Sequence, residues 1–543
     1  MISRTQRFRQ FNMDFFLFVL TLGIFFNAVS ANVIFERGIQ SCANTKAPYV
    51  PGAKVVSINS KQKNNLTVFA SSPFLLQDVS DLNICEVNIT LTHPNADDQV
   101  LIQIWLPLNN WNGRFLAVGG SAWAAGLGDL SLAPVAKQGF AAASTNAGLS
   151  GDPSSPGLWA LNGDGEVNWA LLTNFASRSV HDLAIVGKAV TARYYGITAK
   201  YSYWNGCSTG GRQGLIAAQK YPNDFDGILA VSPAINWPEY VVAEQWPQVV
   251  MKEEKAFPSL CELDGVVQAA IAACDELDGV KDNVITDLAQ CKFDPFTAVG
   301  SKVECDGEDV TITQSVASIV RKIWDGPKST TGAFLWYGLT VGAPMDFLAN
   351  TTAVNGTHVG NPFFVSEQWI SYFLKNNPSF EVSTVDLVEL AALFSESSRK
   401  YADVIGSANP DLSGLQKSGG KLLVWHGEAD PLIFPEGTTQ YRQRVEKAMG
   451  DSSKVDEFFR LFLAPGVDHC GQGTTPGAVP SDPFGALMSW VENGIAPDVL
   501  SAETVPQAQA HFTRKICRYP LVSKYRGSGD PNTLESYECE QAC

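Results

Sequence analysis

Hydrophobic and polar positions alternate with a period near two in four short runs, Ile84–Leu91, Leu101–Leu106, Arg114–Val118 and Phe140–Ser144, each set off by turn residues. That alternation predicts strands with one face on a core. From Asn168 to Tyr195 the spacing changes, with Leu172, Phe175, Val180, Leu183, Val186 and Val190 recurring as one buried helix face requires. Tyr201–Asn205, Ile228–Val231, Lys421–His426 and Phe459–Leu463 are further strand candidates, and Arg212–Lys220 can run as a helix. Strands alternating with helices predict an α/β fold, a mostly parallel sheet covered by helices on both faces. The rhythm lapses between Ser232 and Gly419, where cysteines, acidic turns and sequons accumulate. This stretch reads as an inserted lid, residues 232–419, in a catalytic domain built from 32–231 and 420–543.

The first 31 residues stand apart. Arg4, Arg7 and Arg9 precede the apolar run Phe15–Phe26, and Ala28-Val29-Ser30-Ala31 offers small residues for cleavage. This pattern predicts a secretory signal peptide, because the run is shorter than the roughly 20 residues a membrane span needs. No later segment is apolar and long enough to cross a bilayer, and four sequons, at Asn65, Asn88, Asn350 and Asn355, suit a eukaryotic secretory route. A soluble, secreted glycoprotein follows, with no membrane partner. Hydrophobic residues make up 45% of the 543 and charged ones 17%, which excludes a disordered chain. The net charge of −16 argues against a phosphate-binding surface, so no nucleic-acid partner is expected. Eleven cysteines without a CxxC pair favour disulfides over metal thiolates in an oxidising compartment.

The central chemical signal is the GxSxG pentapeptide Gly206-Cys207-Ser208-Thr209-Gly210. Flanking glycines let the chain turn sharply from strand to helix, which lifts the serine hydroxyl clear and aims the next backbone N–H at a developing oxyanion. With 46 glycines in the chain, about 0.3 such matches arise by chance, so the strand before it and the helix after it carry the assignment. A serine needs a base, and of six histidines His469, in Pro465-Gly466-Val467-Asp468-His469-Cys470-Gly471 after the last strand candidate, is best placed. His426 lies inside a strand candidate and reads as a buried hydrogen-bonding residue. Asp430, just past Lys421–His426, is the carboxylate to orient the imidazole, with Glu428 and Asp468 as competitors. The chain order Ser208, Asp430, His469 is that of α/β-hydrolases. Cys207 precedes the candidate nucleophile and Cys470 follows the candidate base, so a bridge between them would tie both catalytic loops together.

These residues resemble the tannase/feruloyl esterase family of secreted α/β-hydrolases, whose Cys-Ser, Asp, His-Cys pattern is matched by Cys207-Ser208, Asp430 and His469-Cys470. The resemblance extends through Trp204–Gln213 and over nearly the whole mature chain. It implies a calcium ion in the lid, held by Asp275, Asp278 and Asp282 with the carbonyls of Val280 and Val284, and such hard oxygens suit that ion. It implies disulfides Cys42–Cys85, Cys261–Cys274, Cys291–Cys305 and Cys517–Cys539, with Cys543 unpaired. It also implies an oxyanion hole made by the amide of Thr209 and one from Val118-Gly119-Gly120-Ser121, with Gly120 as candidate. No organic cofactor is expected.

The reading that results is a secreted serine esterase with an α/β-hydrolase core, acting on a small aromatic ester or feruloylated oligosaccharide and releasing hydroxycinnamic acids such as ferulate from plant cell-wall esters. A tannase acting on galloyl esters is the alternative. A peptidase, or a noncatalytic glycan-binding protein on a hydrolase fold, would be distinguished by amide hydrolysis or by binding without turnover. Trp237, Tyr240, Trp246, Phe347 and Trp369 offer rings for stacking on a phenol, though most read as core.

Overall fold

Nine strands line up in one twisted sheet in the computed structural model, which describes residues 41–541 apart from 474 and 509. The candidate signal peptide and Cys543 lie outside the described residues. The strands are β1 (Lys54–Val68), β2 (Val79–Thr92), β3 (Val100–Pro107), β4 (Arg114–Val118), β5 (Ala141–Thr145), β6 (Tyr201–Cys207), β7 (Gly227–Val231), β8 (Lys421–Gly427) and β9 (Phe459–Ala464). Their order across the sheet is β1-β2-β3-β5-β4-β6-β7-β8-β9. The first four are paired antiparallel, and every pair from β5 to β9 is parallel.

The period-two pattern is realised face by face. In β4, Phe115 and Ala117 join the core on one side of the sheet, and Leu116 and Val118 join the core on the other. Helices Ser179–Tyr195, Thr209–Lys220 and Pro435–Met449 cover the first side, while Asp129–Lys137 and Pro483–Asn493 cover the second. Parallel strands buried on both faces need such double cover. β1 escapes the sequence pattern because, at the sheet edge, its side chains are mostly exposed or half-exposed and carry the polar run Asn59–Asn65.

The helix expected over 168–195 is divided. Trp169–Thr173 passes into a π-helical turn, Asn174–Arg178, before the α-helix resumes at Ser179. Arg212, fully buried, donates to the carbonyls of Phe175 and Ala176 in that turn at 3.0 and 2.8 Å and stacks on the Phe175 and Trp237 rings. A buried guanidinium thus takes up the carbonyls that the wider turn presents.

Residues 232–420 contribute no strand to the nine-stranded sheet. They form helices, including Trp237–Ala243, Leu260–Cys274 and Leu387–Ile405, and two short hairpins. Their core contains Trp237, Trp336, Trp369, Phe373 and Tyr401 and continues onto Trp123, which follows β4, and Phe175 of the π-helical turn. Asn355 is exposed at the tip of the hairpin Thr351–Gly360 and Asn65 is exposed on β1, while Asn88 and Asn350 are half-buried.

Five disulfides are present among the described residues, and two of the implied pairings are corrected. Cys42–Cys85, Cys517–Cys539 and Cys207–Cys470 stand as expected. Cys261 instead pairs with Cys305, and Cys274 with Cys291. Cys261 and Cys274 sit near opposite ends of the helix Leu260–Cys274. At 1.5 Å per residue their Cα atoms are about 20 Å apart, far beyond disulfide reach. One end of the helix is therefore clipped to the Lys302–Thr311 hairpin, and the other closes the acidic loop 275–290.

Candidate active site

The candidate site gathers at the carboxyl ends of the parallel strands, where loops leave the sheet together. β6 ends at Cys207 and the helix Thr209–Lys220 begins two residues later, so the reversal falls on Ser208, at φ 61° and ψ −123°. That backbone conformation is costly for a non-glycine residue and persists where its surroundings hold it. Here the Ser208 N–H donates to Val231 O at 3.0 Å, and the Ser208 carbonyl accepts from Arg212 and Ala234 at 3.0 and 3.1 Å. The glycines are required sterically: a Cβ on Gly206 would lie 2.6 Å from the backbone of Gly210, and one on Gly119 would lie 2.4 Å from Gly210 Cα. This is the strand–turn–helix setting that a nucleophilic serine needs.

His469 follows β9 and Asp430 follows β8, and His469 Nδ1 donates to Asp430 Oδ2 at 2.8 Å. That bond leaves Nε2 as the basic nitrogen. Burial alone would push the Asp430 carboxyl up, but the charge of His469 and hydrogen bonds from two imidazoles hold it well below the usual carboxylate range. Its other oxygen accepts from the backbone N–H of Leu432 and Ile433, both at 2.9 Å. Burial presses the His469 imidazole down, yet the charge and hydrogen bond of Asp430, with Asp468 adding, raise it above its ordinary 6.5. Among the described residues the Ser208 hydroxyl has no hydrogen-bond partner. Such serine–histidine bonds commonly tighten only when substrate binds.

Neither competing carboxylate touches the imidazole. Asp468 turns toward Gly473, and Glu428 lines a separate cavity of about 260 Å³ with Glu436, Thr340 and Lys515. Burial, with Glu436 and Asp287 nearby, pushes Glu428 up to about 8.

Cys207 and Cys470 are bonded, with Cα atoms 6.0 Å apart. A ring nitrogen of His469 lies within 4.8 Å of both sulfurs, so the base is held beside the serine loop. Both sulfurs are consumed in the disulfide, so this is a covalent clamp and not a metal centre.

The oxyanion loop departs from expectation at Gly120. Its N–H donates to Gln213 Oε1 at 3.0 Å, Gly119 N–H donates to Asn205 O, and Ser121 N–H donates to Ala124 O. Ala122 N–H has no acceptor among the described residues, and Ala122 sits at φ 44°. The Thr209 hydroxyl donates to Ala122 O at 2.7 Å, which joins this loop to the start of the serine helix. The Thr209 N–H, at the first position of its helix, has no carbonyl to meet within the helix.

In the acidic loop, Asp275 is buried and its Oδ1 accepts from Asp282 and Val284 N–H. Asp278 accepts from Val280 N–H and the Thr286 hydroxyl. Asp282 pairs with Arg514 from the strand Thr513–Cys517. Burial pushes both Asp278 and Asp282 up. The donor set, three carboxylates with the Val280 and Val284 carbonyls, has the chemistry of a calcium ligand shell. Its carboxylate oxygens do not all lie within 4.8 Å of one another in this arrangement.

Two neighbours of the site, His426 and the amide of Ala122, carry no motif of their own, and Gln213 closes the Trp204–Gln213 run without a role the sequence assigns. Gln213 holds the oxyanion loop at two points, accepting from Gly120 and donating to Ala125 O at 2.9 Å. Of the aromatic residues expected as stacking candidates, Trp237, Tyr240 and Trp369 are buried in the aromatic core, while Phe347 is exposed.

Comparison with known proteins agrees with this geometry. Residues 85–540 match the family model described as tannase and feruloyl esterase. A probable feruloyl esterase of Arthroderma benhamiae is 48% identical over 96% of this chain and 97% of its own length. A probable feruloyl esterase B-1 of Neosartorya fischeri is 32% identical over 85% and 87%. Among solved structures, the tannin acyl hydrolase of Aspergillus niger superposes with a TM-score of 0.83 at 26% identity, covering 92% of this chain and 94% of that one. The feruloyl esterase B of Aspergillus oryzae gives 0.75 at 27%, covering 91% and 98%. With a mostly parallel, helix-flanked sheet, a serine at a strained strand–helix turn and a disulfide clamping it to a histidine loop, the chain is a carboxylic ester hydrolase that belongs to the tannase and feruloyl esterase family.

Proposed function

We propose that this chain is a secreted serine esterase that releases hydroxycinnamic acids such as ferulate from plant cell-wall polysaccharide esters. Ser208 Oγ attacks the ester carbonyl while His469 Nε2 takes its proton. His469 then gives that proton to the departing alcohol, and water repeats the cycle on the acyl-enzyme. Asp430 keeps the imidazole in the tautomer with Nε2 free. The N–H groups of Thr209 and Ala122 stabilise the oxyanion, each such donor contributing about 3–4 kcal/mol in comparable enzymes. Calcium in the loop 275–284 would be held by Asp275, Asp278 and Asp282 with the carbonyls of Val280 and Val284. When bound it supplies fixed positive charge that stiffens the loop, and no step of ester cleavage passes through it.

The observation that carries the reading is the His469–Asp430 pair clamped beside Ser208 by Cys207–Cys470. Hydroxycinnamate is preferred for the acyl group because the 48% identical relative is named a probable feruloyl esterase. Secretion is supported by the residue 1–31 pattern, by disulfides, and by the absence among the described residues of a helix able to cross a membrane. A galloyl ester is the second reading, favoured by the 0.83 superposition on a tannin acyl hydrolase. The deciding experiment is turnover of methyl ferulate, methyl p-coumarate and methyl gallate side by side, with Ser208→Ala as control. Cinnamate turnover lost in the variant bears the proposal out, gallate preference makes the chain a tannase, and turnover that survives Ser208→Ala removes Ser208 as nucleophile.

A further inference from the structure

His426 lies inside β8, fully buried, four residues before Asp430. Its Nε2 sits 3.1 Å from Asp430 Oδ2 and 3.0 Å from Ile433 O, and its Nδ1 sits 2.8 Å from Thr438 Oγ1. The protonation pattern follows from these neighbours. Nε2 faces two groups that can only accept, a carboxylate and a carbonyl, so Nε2 carries the hydrogen. The Thr438 hydroxyl then donates to Nδ1. His469 Nδ1 approaches the same Asp430 oxygen from the other side at 2.8 Å.

We infer that His426 is a positioning residue for catalysis, a second imidazole that shares the Asp430 carboxylate with His469 and, through the relay Thr438 to His426 to Asp430, fixes how strongly that carboxylate holds the base. The inference rests on the serine-esterase reading above. A carboxylate oxygen that already accepts one N–H offers less negative charge to a second donor. His426 therefore tempers the pull of Asp430 on the His469 proton, and its backbone tie to Ile433 O holds the 430–433 turn in place. The carboxylate is fully supplied: two backbone donors on Oδ1 and two imidazoles on Oδ2. Removing one leaves a buried, under-coordinated charge whose remaining partner must carry more of the load. The other ionisable groups facing the pair are Asp468 on the His469 loop, and Glu244 and Tyr240 on the segment after β7. The substitutions below alter none of them.

The test compares His426→Leu, which removes both nitrogens, with His426→Gln, whose amide can donate toward Asp430 and accept from Thr438. The readout is the pH dependence of kcat/KM on whichever methyl ester the parent turns over, with thermal melting to establish folding. His426→Leu should lower kcat by about tenfold to a hundredfold, as loss of an orienting partner one shell out typically does. It should also move the acid limb to higher pH by about half a unit or more, because an untempered Asp430 favours the imidazolium. His426→Gln should restore the parental midpoint. Should His426→Leu fail to fold, Thr438→Val removes the hydroxyl that donates to His426 Nδ1, makes the Nε2–H a weaker donor to Asp430, and should shift the same limb in the same direction. A folded His426→Leu or Thr438→Val with the parental midpoint, whatever its kcat, overturns the inference and leaves His426 a packing residue. Turnover that survives Ser208→Ala would instead remove the esterase reading on which it stands.

Discussion

Gln213→Leu isolates the oxyanion loop from the rest of the site. The side chain is fully buried on the serine helix, makes two hydrogen bonds to the backbone of residues 120 and 125, and touches no group of the proposed triad. Leucine matches its bulk and makes neither bond. Two buried backbone groups are then left without partners, at about 1–3 kcal/mol each, and apolar burial of the leucine returns about 2 kcal/mol. The net loss of up to about 4 kcal/mol falls on a loop anchored otherwise by the Thr209–Ala122 bond and by the Gly210 N–H on Gly120 O. Freed from Gln213, the Gly120 amide can turn and the Ala122 amide drifts from the position an oxyanion would occupy. Loss of one such donor costs about a hundredfold to a thousandfold in kcat, so partial misalignment should cost about tenfold to a hundredfold while KM changes little. The assay is kcat and KM on a methyl ester, with melting temperature recorded on the same preparation. A melting temperature that falls while kcat stays within about twofold of the parent would refute the reasoning, because the catalytic amide would then lie outside the loop that Gln213 holds.

Three further outcomes follow from the geometry. The raised His469 means that the neutral, basic imidazole is populated only as pH climbs through a value above 6.5; kcat/KM should therefore rise with pH through a midpoint above 6.5, and a midpoint at or below it in a pH series contradicts the Asp430 pairing. Cys470→Ala, which unclamps the histidine loop across a separation of 263 residues, should lower thermal stability by no more than about 5–6 kcal/mol on chain-entropy grounds and reduce kcat, measured by melting and steady-state kinetics in parallel. Chelator treatment should lower the melting temperature, with recovery on adding calcium and not magnesium; an unchanged melting curve and no calcium by elemental analysis would exclude a calcium site at Asp275, Asp278 and Asp282.

Much of this architecture is legible in the chain because its cues are local. Period-two runs became β2 to β5, and the glycines around Ser208 became a tight turn with no room for a Cβ at Gly206. What escaped was set by distant partners. The π-helical turn at Asn174–Arg178 depends on Arg212, which no periodicity announces. Gly120 looked available because its acceptor, Gln213, lies 93 residues away. The cysteine pairs around residues 261–305 need helix geometry to decide them, since a single helix separates two cysteines that are close in sequence. His426 was legible as a buried hydrogen-bonding residue, but not as a neighbour of Asp430, because that contact is created by the turn after β8.

The Cys207–Cys470 bridge also changes the covalent topology of the molecule. All of residues 232–419 lie inside the ring it closes, so that segment is a loop of a circle rather than a stretch of open chain. A protease that cuts once within it does not release either half: the nicked protein keeps its mass under non-reducing conditions and separates into two fragments only when reduced. Cut by a protease there, such a chain can lose continuity in its most elaborate segment and still keep its serine and histidine loops on one covalent body.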